Sequence, residues 1–73
     1  LNAPDCTLEE IAAGQFAVRV GNEVAGYISE DGEHPGIWVN EDQNGRLMGR
    51  SATREQGAEF LAAWFVAVDE DRT

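Results

Sequence analysis

QFAVRVGNEVAGYIS, residues 15–29, decides how the rest of the chain can fold. It is rich in Val, Ile, Phe and Tyr, which suit a pleated, half-buried surface, and Gly21-Asn22 separates two alternating runs as a hairpin turn does. Two registers compete. A two-residue loop pairs Val20 with Glu23 and puts Phe16, Val18, Val20, Ala25 and Tyr27 on one face. A three-residue loop pairs Val20 with Val24, so that Phe16, Val18, Val20, Val24 and Ile28 make a continuous apolar face with Gly26. A one-residue slip turns every side chain of a strand over, and burial therefore favours the second register. Tyr27 and Arg19 then belong to the wetter face.

Beyond the hairpin, SEDGEHPG (29–36) holds Asp-Gly and Pro-Gly without periodicity and reads as a loop. GIWVNE (36–41) resumes strand character, with Ile37 and Val39 on one side and Trp38 and Asn40 on the other. After Asn44-Gly45, RLMGR (46–50) makes a fourth strand with Leu47 inward. Towards the start of the chain, Thr7 and Glu10 fit a capping box, and Leu8, Ile11 and Ala12 supply a short apolar face that stops at Gly14. One or two helical turns are expected there. Near the other end, Thr53 and Gln56 form a second capping box, and Phe60, Leu61, Trp64, Phe65 and Val68 recur along one helical stripe. From Arg54 to Val68 such a helix is about 22 Å long, enough to cover a small sheet. Gly57 suggests close approach of a strand.

The expected architecture is α+β, a two-layer sandwich with a short N-terminal helix, a three- to four-stranded antiparallel meander and one long C-terminal helix on one face. Residues 1–73 make a single domain: 1–14 short helix and lead-in, 15–50 meander, 53–68 helix, 69–73 acidic tail. A chain of 73 residues has no room for a second core beside a catalytic cleft.

NEDQNG (40–45) places Asn40, Asp42 and Asn44 at alternate positions before Gly45, like the first half of a calcium loop. Counted from Asn40, however, position 12 is Ser51 where a bidentate Glu is needed, position 9 is Met48, and both flanks read as strands. Asn-Gly between alternating runs is a hairpin turn. No metal or other cofactor is expected.

Catalysis finds little support. Cys6 and His34 are the lone Cys and His, both in segments expected to be irregular, and no Gly-rich phosphate loop occurs. A single cysteine permits no internal disulfide and favours a reducing compartment. The first residues lack the layout of a signal peptide and no run is long enough to span a membrane, so a cytoplasmic location is expected; the absent initiator Met leaves a lost leader open.

Fourteen acidic residues against five arginines give a formal charge of −9, which disfavours direct contact with nucleic acid or an anionic membrane and favours a basic protein partner. Glu30, Asp31, Glu33, Glu41 and Asp42 lie close in sequence with no basic residue among them, and three arginines follow at 46, 50 and 54. Clustered, those acids would imitate a row of phosphates and occupy the basic groove of a nucleic-acid-binding protein, in the style of small phage-encoded inhibitors. The second expectation is a structural or accessory domain that associates through an aromatic surface of Tyr27, Trp38 and Trp64, as a homodimer for instance. The N-terminal segment, through Leu1, Leu8 and Ile11, is a competing cover for that face.

Three short strands followed by a helix opening with Ser51-Ala52-Thr53-Arg54-Glu55 resemble, over residues 16–68, the small three-strand-plus-helix domains at the N-terminus of phage integrases. The resemblance implies the fold. Those domains enter DNA with a basic sheet, whereas this chain offers only Arg19 on its first such strand.

Overall fold

The computed structural model describes residues 5–71. Five antiparallel strands, β1 (Thr7–Ala12), β2 (Gln15–Val20), β3 (Glu23–Glu30), β4 (Trp38–Asp42) and β5 (Leu47–Ser51), form one sheet in sequential order, followed by a single helix, α1 (Arg54–Asp71). The α+β class and the C-terminal helix are as expected from the sequence, and α1 packs on one sheet face against β2 to β5.

The expected N-terminal helix is instead a strand. Residues 7–12 pair with β2 from Thr7↔Arg19 to Ala12↔Gln15, turning through Ala13-Gly14 with Gly14 at φ +72°. A helix of six residues forms one costly nucleus with little propagation to repay it. The open edge of β2, by contrast, satisfies the same backbone groups with interstrand hydrogen bonds. Leu8 packs on the core from this strand, whereas Ile11 is 53% exposed and lines a shallow pocket with Tyr27 and Glu41; Leu1 lies outside the described residues.

Both hairpin registers are present. Val20 pairs with Glu23 at a two-residue turn, but Ala25 is an extra residue on β3, so Val18 pairs with Gly26 and Phe16 with Ile28 as in the longer-loop register. The bulge reconciles the turn that Gly21-Asn22 prefers with the face that burial demands. Tyr27 and Arg19 do lie on the uncovered face, and Val24, paired with Arg19, joins them instead of the core.

Val18, Ile28 and Leu61 are fully buried and form the centre of the core with Ala25 and Ala58. Full burial of side chains of this size is worth roughly 1.5–3 kcal/mol each. The helix lies close to the sheet because small residues meet at its two crossings. A Cβ on Gly57 would collide with the Asn40 amide oxygen, and one on Gly26 would meet both the Glu41 carbonyl oxygen and Leu61. That closeness rotates the helix away from the expected stripe. Gly57, Ala58, Leu61 and Ala62 face inward and Phe60 is left 44% exposed. At the start of α1, the Thr53 hydroxyl accepts the Gln56 amide (3.1 Å) as an N-cap. The helix continues through Asp71, so the first residues of the expected tail belong to it.

β5 also departs from expectation. A bulge at Met48 brings Met48 against the core and leaves Leu47, expected inward, 56% exposed.

Candidate functional site

The five acids expected to act together are divided between the two ends of β4. Glu30 pairs with Trp38 and Gly26 with Asp42, four residue steps apart on the ladder, about 13 Å. Glu30, Asp31 and Glu33 therefore sit at the end with the β3–β4 loop, and Asp42 at the end with the β4–β5 turn. Glu41 points to the uncovered face beside Tyr27.

Two of these carboxylates are engaged inside the fold. Asp42, 7% exposed, accepts the amides of Asn44 (2.8 Å) and Arg46 (2.9 Å), while its carbonyl accepts the Gly45 amide (3.0 Å). Gly45 takes φ +81° in that turn, a region open to Gly at no steric cost. Asn40 is buried beneath α1, its amide oxygen within 3.5 Å of the Ser51 hydroxyl. The calcium-like spacing is thus a hairpin turn in which Asp42 Oδ1 and the Asn40 amide oxygen already accept hydrogen bonds.

Asp31 organises the β3–β4 loop. It accepts the Glu33 amide (2.9 Å), and its other oxygen lies 3.2 Å from His34 Nδ1 and 3.4 Å from Arg50 Nε. The backbone hydrogen bond first, then His34 and Arg50, hold its carboxyl below the usual range. Glu30 and Glu33 remain exposed there.

Cys6 and His34 are not neighbours. Cys6 precedes Thr7, which pairs with Arg19 next to the β2–β3 turn, whereas His34 lies in the loop at the opposite end of the sheet. Burial, with Glu59 and Asp5 nearby, pushes the Cys6 thiol up, the reverse of what activates a nucleophile.

The expected aromatic surface is likewise dispersed. Trp38 faces the helix side and meets Phe16 edge-on, centroids 6.0 Å apart at 63°, with the Arg54 guanidinium 5.0 Å from the centre of the Phe16 ring. Trp38 therefore closes one end of the core instead of standing beside Tyr27, which is on the other face. Trp64 is half-buried near the middle of α1, lining a cleft of about 240 Å³ with Asp42, Arg46 and Val68.

The apolar surface extends beyond the expected Trp64 along the flank of α1. FLAAWFVAV, residues 60–68, carries no charge in nine residues, whereas a helix covering a sheet on one side ordinarily shows charged and polar residues on the other. Phe60, Ala63 and Ala67 are exposed and Trp64 is half-buried, which makes an i, i+3, i+4, i+7 row along the flank of α1 beside β5 and the β4–β5 turn. Along the β5 flank it continues into a groove lined by Met48, Gly49 and Phe60.

Among the described residues, no helix is long and apolar enough to cross a membrane, and no three His, Cys, Asp or Glu side chains are grouped as metal ligands. In comparison with known proteins, no family model, no curated protein and no solved structure matches this chain.

Proposed function

We propose that the protein is a small, non-catalytic protein-binding domain whose partner docks on the flank of α1 beside β5 and in the adjoining groove. The observation that carries this reading is the uncharged run from Phe60 to Val68 with Phe60 44% exposed. Leaving such a row in water is unfavourable, and covering it removes apolar area at roughly 25 cal/mol per Å². The separation of Cys6 from His34 supports the non-catalytic part, and the lone cysteine supports a reducing, cytoplasmic setting.

A second reading keeps the acidic surface as the contact for a basic, nucleic-acid-handling protein. It is favoured by the charge of −9 and by the exposed Glu30 and Glu33. It is weakened by the division of the five acids and by the internal hydrogen bonds of Asp31 and Asp42.

Affinity capture on immobilised protein separates the two. A partner retained in high salt and lost on Phe60→Glu supports the α1 face. One released by salt, and lost when Glu30 and Glu33 become Gln, supports the acidic contact. A partner indifferent to both changes overturns both.

A further inference from the structure

Resting on the α1 reading above, we propose that the partner contributes an extended segment, apolar at alternate positions and carrying an acid, which adds to the open edge of β5 as a further strand and fills the clefts beside α1. β5 is the last strand of the sheet, so its outer row of amides and carbonyls has no neighbouring strand among the described residues. Such a row is a template for another chain. β1, the opposite edge, is blunted by Glu9 and Glu10, whereas the one charged residue of β5, Arg50, is drawn to Asp31 (3.4 Å).

The groove beside that edge has the shape of an extended chain. Gly49 lies opposite Asn40, on the side that α1 covers, yet a Cβ there would meet nothing within 4 Å. At Gly26 and Gly57 the same space is filled. A strand glycine left open in this way admits the close approach of another backbone, and the groove over it, about 470 Å³, is walled by Met48 and Phe60. One helical turn further on, Trp64 and Val68 wall the cleft of about 240 Å³. Four helical residues rise about 6 Å and alternate strand residues are about 6.6 Å apart, so successive side chains on one face of an added strand reach both clefts.

Charge selects the chemistry of the segment. Arg46 and Arg50 line the two clefts against a single carboxylate, Asp42, which is buried and accepts the amides of its own turn. Arg46 makes no ion pair among the described residues. An aspartate or glutamate on the segment beside the β4–β5 turn meets that guanidinium in a charge-assisted contact.

The test uses the whole chain and a short synthetic peptide, capped at both ends, with leucine at two alternate positions, threonine around them and aspartate at one end. NMR is expected to show saturable shifts and slowed amide exchange along β5. Methylating one alternate set of peptide nitrogens should abolish binding and methylating the other should leave it unchanged, because only one edge of a strand faces β5. Gly49→Val fills the groove and should weaken binding at least about tenfold while holding the urea midpoint at or above wild type. Arg46→Gln should remove the preference for this peptide over one with asparagine in place of aspartate; an unchanged preference overturns the acidic contact. Should Gly49→Val fail to fold, the methylated peptides decide alone. Binding that is lost on Phe60→Glu but indifferent to both methylations overturns strand addition and keeps the α1 flank as a binding face. No saturable binding up to millimolar peptide also overturns strand addition, and an environment-sensitive apolar dye then tests the flank itself. Dye binding that disappears on Phe60→Glu retains the flank, and no dye binding sinks it as well.

Discussion

Gly26→Ala is the sharpest test of how closely sheet and helix are packed. Replacing a strand-interior glycine by alanine ordinarily gains about 0.5–1 kcal/mol, because the unfolded chain loses freedom. At position 26 the new methyl group would run into the main-chain carbonyl oxygen of Glu41, with Leu61 Cδ1 3.2 Å away. Neither neighbour yields easily. The carbonyl belongs to β4, which pairs with β3 here, and Leu61 is fully buried. Overpacking typically costs 1–3 kcal/mol, and a backbone obstacle belongs at the upper end of that range, so after the gain is subtracted the net loss is about 2–2.5 kcal/mol. For a chain of this size, total stability is on the order of 4–11 kcal/mol. With a urea slope of about 1 kcal/mol per M, the unfolding midpoint should fall by about 2–2.5 M. Gly32→Ala, where a Cβ meets nothing within 4 Å, serves as control and should move stability by less than about 0.5 kcal/mol. A Gly26→Ala midpoint equal to or above wild type would refute the close approach, and with it the reason given for the rotation of α1.

Asp42→Ala should lower stability by about 2–3 kcal/mol in the same assay, since two turn amides lose their acceptor, whereas Asp42→Asn, which keeps one oxygen, should cost much less. The Asp31 carboxyl is held below its ordinary value of 3.8, so its stabilising contribution is present above that pH and is lost as pH falls through the lower folded value. An NMR titration should find the Asp31 midpoint below 3.8, and Asp31→Asn should remove that part of the acid-induced loss of stability; an unshifted midpoint contradicts the loop geometry. The raised Cys6 thiol should alkylate more slowly than free cysteine near pH 8 and catch up in denaturant. Equal rates in native buffer would mean that Cys6 is not packed on the core.

Local chemistry determined much of this protein. The hairpin at Gly21-Asn22, the turn at Asn44-Gly45 and the helix capped at Thr53 follow from signals that act within a few residues, and all are present; the loop expected at 29–36 is also there but runs from 31 to 37, because Ser29 and Glu30 extend β3. Tertiary structure decided what local signals left degenerate. Thr7 to Ala12 satisfies both a capping pattern and a strand, and only the unpaired edge of β2 selects the strand. The β2–β3 register satisfies both candidate pairings through the Ala25 bulge, which neither face pattern contains. The acids between 30 and 42 are neighbours in sequence, but an extended β4 carries them to opposite ends of the sheet. The inward face of α1 could not be read from an uncharged run that is apolar on every side. Close packing of Gly57 over Asn40 and Leu61 over Gly26 chose the small residues for the core and turned Phe60 outward, because a helix can approach a sheet that nearly only where side chains are missing.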